Sequence, residues 1–145
     1  MKKIIFFAIA FVVTFNSFAQ NAEQEVKEKP YEYVIVDGEK IYNSDFVDTK
    51  AEFKGGEKEM NKWLMENINY PFLALEEGKQ GKVVVKFIIR KSGEISNVEL
   101  VNKVFYSLDK EAMRLILIMP NWIPAKKGKK PVSSFFTLPV SFILK

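Results

Sequence analysis

The clearest periodic pattern in the chain follows Gly81, where apolar residues occupy every second position. Val83, Val85, Phe87 and Ile89 alternate with positions of mixed polarity. A period of two residues predicts a β-strand, because successive side chains of a strand point to opposite faces. Since only one set of positions is wholly apolar, we expect one face of this strand to meet a core.

A turn and a return strand follow this segment. Ser92 and Gly93 favour a hairpin turn, because glycine tolerates the positive φ that such turns require. Ile95, Val98 and Leu100 continue the apolar pattern. The alternation slips between Ile95 and Val98, which predicts a β-bulge in the return strand.

A third strand is predicted over residues 132–144, where one face carries Phe136, Leu138, Val140, Phe142 and Leu144. Pro139 lies within this segment and has no N–H to donate to a ladder. The strand should therefore lie at a sheet edge, or be interrupted at Pro139.

Two segments before Gly81 have helical character. The first opens at Gly55 and Gly56, and its apolar face consists of Met60, Trp63, Leu64 and Ile68. A short helix is predicted between Pro71 and Gly78, since proline suits the first position of a helix and glycine suits its end.

A longer helix is predicted between Ser107 and Pro120. Ser107 can cap its N-terminus and Pro120 stops it. Asp109 and Glu111 lie near the positive end of the helix dipole, where we expect them to be solvent-exposed. The apolar stripe of this helix consists of Leu108, Ala112, Leu115, Ile116 and Met119.

In chain order the predicted elements are helix, short helix, strand, strand, helix and strand. Such an order forms a small antiparallel sheet covered by helices on one face, so we predict an α+β fold with two layers. Residues 31–42 add a separate hairpin signal, because two β-prone runs flank Asp37 and Gly38.

The N-terminus has the pattern of a secretory signal peptide. Lys2 and Lys3 precede an apolar run over residues 4–13, and the small residue Ala19 follows. We predict cleavage near Ala19 and a periplasmic location. An inner-membrane anchor is the alternative, although a bilayer-spanning helix needs about 20 apolar residues. Residues 20–50 would form a leader, disordered over its first third, and residues 51–145 the folded domain.

Composition excludes several kinds of chemistry. The chain has no Cys and no His, so disulfides, thiol chemistry, histidine acid–base catalysis and Cys/His zinc sites are ruled out. The formal charge of +4 falls to +2 without Lys2 and Lys3, which is too weak and mixed to favour nucleic acid. No nucleophile–base pair or cofactor motif is visible. We therefore expect no enzyme activity, no cofactor, no metal and no small-molecule substrate.

Several charged or aromatic groups have a structural interpretation. Solvent-exposed charge on a helix is the typical role for Glu76, Glu77, Asp109 and Glu111. The lysine-rich loop over residues 126–130 is interpreted as a solvated turn, with contact to lipid phosphates as the alternative. Trp63 and Trp122 should pack in or beside the core.

Several short phrases together resemble the C-terminal domain family of TonB, an envelope protein that contacts outer-membrane transporters. The resemblance covers residues 51–145 and depends on the joint order and spacing of the phrases. They are Phe53-Lys54-Gly55-Gly56, Tyr70-Pro71 with Ala74, Gly81-Lys82-Val83-Val84-Val85-Lys86-Phe87, Ser92-Gly93 with Ile95 and Asn97-Val98, Leu108-Asp109 with Glu111-Ala112, Met119-Pro120 with Trp122 and Pro124, Pro131-Val132, and Leu138-Pro139-Val140 with Phe142.

The resemblance implies a three-stranded antiparallel sheet with helices packed on one face. It also implies that an outer-membrane TonB-dependent receptor supplies a short extended segment, the TonB box, as an added strand. Carried onto this chain, Tyr70 and Pro71 border the binding groove. The implied acceptor residues on the final strand are Val132, Ser133, Ser134, Phe135, Phe136, Thr137, Leu138, Val140, Ser141, Phe142 and Ile143.

The sequence leaves alternatives open. The same edge could pair with a second copy of the chain, giving a homodimer or an envelope scaffold. Full TonB transducers carry an uncleaved anchor and a long proline-rich arm, which we do not expect here, so binding is favoured over energy transduction. We also hypothesise that residues 31–53 cover the edge of the final strand. Deletion of residues 20–44 should then raise peptide affinity or self-association.

Overall fold

The computed structural model describes residues 29–145 of the chain. The predicted signal peptide and residues 20–28 of the predicted leader lie outside these residues. In chain order the elements are β1 (Tyr33–Val36), β2 (Glu39–Tyr42), a 3-10 turn (Ser44–Phe46), α1 (Gly56–Asn67), α2 (Phe72–Glu76), β3 (Gly81–Ile89), β4 (Ile95–Leu100), α3 (Tyr106–Ile118), β5 (Ala125–Lys127) and β6 (Lys130–Phe142). Between residues 29 and 145 no helix combines the length and apolar character needed to cross a membrane.

The strands form one mixed sheet in the order β1, β2, β6, β3, β4, with β5 as an additional partner of β6. All pairs are antiparallel except β2 with β6, which run parallel. The predicted α+β class is confirmed, and the three predicted strands correspond to β3, β4 and β6. The predicted count of three strands is too low, because the β1–β2 hairpin and the short β5 also join the sheet.

The core lies between one face of the sheet and the helices. From β3 it contains Val83, Val85, Phe87 and Ile89, and from β6 it contains Leu138, Val140 and Phe142, all buried. Phe87 lies 5.8 Å from the Trp122 ring, and Trp122 lies 4.8 Å from the Phe136 ring. Burying each such side chain contributes about 1.5–3 kcal/mol, so the alternation along β3 and β6 fixes which face is covered.

The β-bulge predicted in the return strand is present in β4. The register of β4 against β3 shifts between Lys86 and Ile88. Asn97 adopts a positive φ of 51° at this point, a conformation that asparagine tolerates better than most residues. The extra residue explains why the apolar alternation slips between Ile95 and Val98.

The prediction that Ser107 caps α3 is wrong. The helix begins one residue earlier, at Tyr106, and no side chain caps its N-terminus at Phe105. The Ser107 hydroxyl is buried and has no hydrogen-bond partner within residues 29–145. Asp109 instead folds back from the first turn, and its carboxylate accepts the N–H of Val104 at 3.0 Å.

The expectation that Asp109 and Glu111 face solvent is also wrong, because both are buried. The Glu111 carboxylate accepts the N–H of Asn69 at 2.8 Å and pairs with Arg114 at 2.6 Å. Arg114 also donates to the carbonyl of Asn67 at 2.8 Å. The pair therefore holds the C-terminal end of α1 against α3, whereas Glu76 and Glu77 are exposed as expected.

The lysine-rich loop is a tight turn between β5 and β6, closed at Gly128 and Lys129. Lys127 Nζ donates to the carbonyl of Phe46 at 2.9 Å and pairs with Glu32 at 3.1 Å. On its other side β5 is bridged by Thr49. The segment before α1 is thus tied to β5, which fixes where α1 begins.

Candidate functional site

The two edges of β6 are used differently along its length. One edge pairs with β3 in a continuous antiparallel register, from Phe142 opposite Gly81 to Ser134 opposite Ile89. On the other side β2 reaches only Ser133 and Ser134, while β5 pairs with residues 130–132. Within the described part of the chain, residues 135–142 therefore have a strand neighbour on one side only.

The hydrogen bonds of Val84 identify which backbone groups of β6 face the open side. The Val84 N–H donates to Asn102 Oδ1 at 2.7 Å, and its carbonyl accepts the N–H of Val101 at 2.8 Å. Both groups thus point away from Pro139, the β6 residue opposite Val84. Antiparallel strands alternate between bonded and non-bonded pairs, so the carbonyl of Pro139 faces the open edge.

The same alternation places the backbone groups of Thr137 and Ser141 at the open edge. From Thr137 to Ser141 this edge therefore offers carbonyls at Thr137, Pro139 and Ser141, but N–H groups only at Thr137 and Ser141. The prediction that Pro139 marks a sheet edge agrees with this arrangement, because β6 runs through Pro139 without interruption. The donor that proline lacks is missing from the open edge and not from the β3 ladder.

A hydrogen-bonded latch fixes the β1–β2 hairpin beside the start of this edge. Glu39 accepts the Ser133 hydroxyl at 2.6 Å and Arg90 Nη1 at 2.7 Å. Arg90 is oriented by Ser96 at 2.7 Å and Asn97 at 3.1 Å. The Ser133 hydrogen bond, followed by Arg90, lowers the pKa of the Glu39 carboxyl below its ordinary value. We call Glu39, Arg90 and Ser133 the hairpin latch.

As strand pairing, the hypothesis that the N-terminal segment covers the final strand thus holds for Ser133 and Ser134 only. After Tyr42 the chain still lies beside β6, because the 3-10 turn contacts it and residues 50–53 line cavities with residues 134–139. These residues form no ladder with β6, so the edge available for strand pairing begins at Phe135. Of the predicted acceptor residues, Val132, Ser133 and Ser134 lie beside strands of the chain itself. The open stretch consists of Phe135, Phe136, Thr137, Leu138, Pro139, Val140, Ser141 and Phe142, with exposed Ile143 just beyond it.

A groove runs along the open edge between β6 and α1. Its central section has a volume of about 440 Å³ and is lined by Ala51, Glu52, Phe53, Glu57, Met60, Asn61, Trp122, Phe136, Thr137, Leu138 and Pro139. A second section continues towards the end of β6, lined by Asn61, Leu64, Met65, Ile68, Pro139, Val140 and Ser141. We call these two sections together the edge groove.

Gly55 permits the backbone turn at which α1, the wall of the edge groove, begins. It has a φ of 91°, and a Cβ there would lie 2.5 Å from the Glu59 side chain. The backbones of Glu52 and Ile123 exchange hydrogen bonds of 2.9 and 2.8 Å just before α1. The first turn of α1 is therefore held beside Trp122 and β6.

Negative and positive side chains near the open edge lie on opposite faces of the sheet. Glu52 and Glu57 line its central section, and neither forms an ion pair within residues 29–145. On the opposite face of the sheet, Lys50 and Lys86 line a cavity with Phe135. Lys86 Nζ lies 4.4 Å from the Phe135 ring centroid. The helix side of the open edge is thus acidic. The other side carries Lys86 and Lys50, of which Lys50 pairs with Asp45 at 3.5 Å.

Tyr70 and Pro71 lie at the far end of β6. The Tyr70 ring packs edge-on against Phe142 with centroids 5.7 Å apart, and its hydroxyl donates to the carbonyl of Lys79. Pro71 precedes α2. The structure thus brings Tyr70 to the final strand, while the α1 residues of the groove wall were missed. The only sequence signal for them was the apolar face of α1, which predicts burial and not a groove.

Within the described residues no group of three or more acidic side chains is arranged to hold a metal ion. The geometry is that of a small α+β domain in which the long strand β6, among residues 29–145, has one edge without a strand partner beside a groove. Exposed strand edges are sites where another chain can pair. These features are typical of small protein-interaction domains.

Comparison with known proteins identifies the family. Residues 66–144 match the family described as Gram-negative bacterial TonB protein C-terminal, and the chain belongs to this family. Domains of this family are envelope modules that interact with proteins, generally outer-membrane receptors. The matched residues begin within α1, so the β1–β2 hairpin lies before them.

Two solved structures of the Helicobacter pylori TonB C-terminal domain are similar to the chain. One is 19% identical with a TM-score of 0.48, and the similarity covers 61% of this chain and 79% of that one. The other is 22% identical with a TM-score of 0.45, covering 61% of this chain and 92% of that one. No curated protein sequence matches the chain.

Proposed function

We propose that the chain is a periplasmic binding module, without catalytic activity, that takes an extended segment of an outer-membrane transporter as an added strand on β6. The observation that carries this proposal is the unpaired stretch of β6, residues 135–142, within the described chain. Membership of the TonB C-terminal family supports an outer-membrane transporter as the kind of partner. In this proposal residues 51–145 form the binding domain, after a signal peptide cleaved near Ala19.

Main-chain pairing alone would give a weak complex. The open edge offers carbonyls at Thr137, Pro139 and Ser141 and N–H groups at Thr137 and Ser141, and each hydrogen bond contributes about 1 kcal/mol net. Association and ordering of a free segment cost at least a similar amount. Useful affinity therefore requires that side chains of the guest segment also enter the edge groove, which is apolar along Met60 and Leu64.

Titration of the protein with extended receptor segments, followed by NMR, tests the proposal. We expect the amide signals of residues 135–142 and of Tyr70 to shift, and those of β4 to change little. Peptides N-methylated at alternate positions should bind only when the methyl groups point away from β6. Shifts confined to other regions, or no binding by any extended segment, would refute the proposal.

Thr137→Pro provides a matched test in the protein. It removes an N–H from the open edge without removing a bond to β3, because Thr137 shares its alternation with Pro139. Loss of one hydrogen bond should weaken peptide binding about fivefold. Thr137→Val keeps the backbone N–H and is the control. Equal affinities for the two variants would show that this edge is not used.

Self-association through the same edge is the competing outcome. Sedimentation across a concentration range distinguishes it, because a homodimer paired at β6 would be stable without peptide. Hydrogen exchange would then show that the amides of Thr137 and Ser141 become protected at high protein concentration without any added peptide. Protection that appears only with an added segment supports the receptor-binding function.

A further inference from the structure

The central section of the edge groove combines an apolar floor with an acidic rim. Met60, Trp122 and Leu138 are buried in its floor. Glu52 and Glu57 are exposed at its rim. A side chain that fits both parts is long, with an apolar stem and a positive end, since lysine and arginine bury their stems and keep the charge in water.

A strand added to β6 would aim alternate side chains into this section. The guest residues that share a face with Phe136 and Leu138 point to the helix side of the sheet, where α1 forms the wall. The next residue of the guest in either direction points to the other face, beside Lys50 and Lys86. A cation is therefore favoured on one face of the guest and disfavoured on the other.

We propose that Glu52 and Glu57 make the edge groove selective for an extended segment with an arginine or lysine on its helix-facing side. This inference rests on the proposed strand addition and specifies the chemistry of the guest. Lys54 and Lys58 are neighbours of the two carboxylates in sequence, but neither lines the groove or pairs with them. The acidic rim is thus free to meet a positive charge.

Glu57 also lies in the first turn of α1, where a negative charge stabilises the helix dipole. Glu59 occupies the same turn but does not line the groove. Glu59→Gln is therefore the matched control for Glu57→Gln. Both changes should alter helix stability similarly, while only Glu57→Gln should alter the choice of peptide.

The test compares three short peptides of alternating valine and threonine. The first is unmodified, the second has arginine in place of a central valine, and the third has arginine in place of the adjacent threonine. The alternation fixes the apolar face towards α1. Exposed ion pairs contribute about 0.2–1 kcal/mol each, so at low salt we expect the second peptide to bind about threefold to tenfold more tightly than the third.

Glu52→Gln and Glu57→Gln should each reduce this preference, their combination should abolish it, and Glu59→Gln should leave it unchanged. Peptides that bind at residues 135–142 with equal affinity in every variant would overturn the selectivity and leave strand addition intact. A failure of all three peptides to bind at β6 would instead refute the proposed function. The two results are distinguished by the NMR shifts of the β6 amides.

Discussion

Replacement of Glu39 by alanine should detach the β1–β2 hairpin from β6 while leaving the rest of the domain folded. The change removes the hydrogen bond from the Ser133 hydroxyl at 2.6 Å and the ion pair with Arg90 at 2.7 Å. Neither the hairpin nor Ser133 belongs to the main core cluster beneath the helices. We therefore expect local opening of the hairpin rather than global unfolding.

The magnitude follows from what each partner loses. A hydrogen bond to a charged group contributes about 1.5–3 kcal/mol, and Glu39 makes two. We do not expect the full sum of the two hydrogen-bond contributions, because the Glu39 side chain is 29% exposed and the Arg90 side chain is 20% exposed. Arg90 also keeps Ser96, and Ser133 keeps the Lys91 N–H at 2.8 Å. We expect a loss of about 2–3 kcal/mol from the free energy that holds the hairpin.

Hydrogen exchange measures this loss directly. A change of about 2–3 kcal/mol corresponds to about 30- to 150-fold faster exchange at the hairpin amides, with β3 amides unaffected. Asp37→Asn is the control, because Asp37 is 80% exposed and lies 3.7 Å from Arg90. That pair should contribute less than about 1 kcal/mol. Hairpin exchange within about threefold of the wild-type rate would refute the latch.

The same variant has a second readout at the open edge. Release of β2 would free the edge at Ser133 and Ser134 and lengthen the acceptor stretch by these two residues. We expect longer receptor segments to bind more tightly to Glu39→Ala, and most tightly after deletion of residues 20–44. Unchanged peptide affinity and unchanged self-association in both proteins would show that the hairpin does not limit access.

Two further predictions concern pH and backbone conformation. Hydrogen bonding from Ser133, followed by Arg90, lowers the pKa of the Glu39 carboxyl below its ordinary value. The stabilising effect of the ionised carboxylate is therefore fully present above the unfolded pKa and is lost as the pH falls through the lower folded pKa. The protection of hairpin amides relative to their intrinsic exchange rate should therefore fall at acidic pH in the wild type but not in Glu39→Ala, and a parallel loss of protection in both would contradict this. Gly93→Ala should unfold the domain at markedly lower urea concentration, because φ is 89° and the new Cβ would lie 2.2 Å from the Trp122 carbonyl. Gly128→Ala has a positive φ of 61° and no atom within 4 Å, so it should cost only about 1 kcal/mol.

Elements with a strong period were predictable from the sequence. The alternation of Val83, Val85 and Phe87 can bury an apolar face only as a strand, and tertiary contacts reinforce that pattern. The short β5 was not predictable, because Lys126 and Lys127 have no apolar period, although β5 pairs with the nearby start of β6 across the turn at Gly128. Glu111 likewise resembles a surface residue until Arg114 and Asn69 are placed around it.

The candidate site was predictable in part. Pro139 indicates an edge from its chemistry alone, since it cannot donate to a ladder. The position of the second wall was not predictable, because Glu57 reaches the groove through the packing of α1 beside Trp122, and Glu52 through its backbone hydrogen bonds with Ile123. The hairpin latch depends on Glu39 and Ser133, which are 94 residues apart in the sequence.

The missing N–H of Pro139 also bears on solubility. Two copies of β6 that met edge to edge in antiparallel fashion around Pro139 would bring two prolines together, each without a donor for the other. Stacking of many identical chains would repeat that defect at every layer, which disfavours fibril growth. A foreign segment pairs with only one Pro139, and the guest residue opposite it can direct its own amide away from β6. The edge can therefore stay uncovered in solution without promoting aggregation.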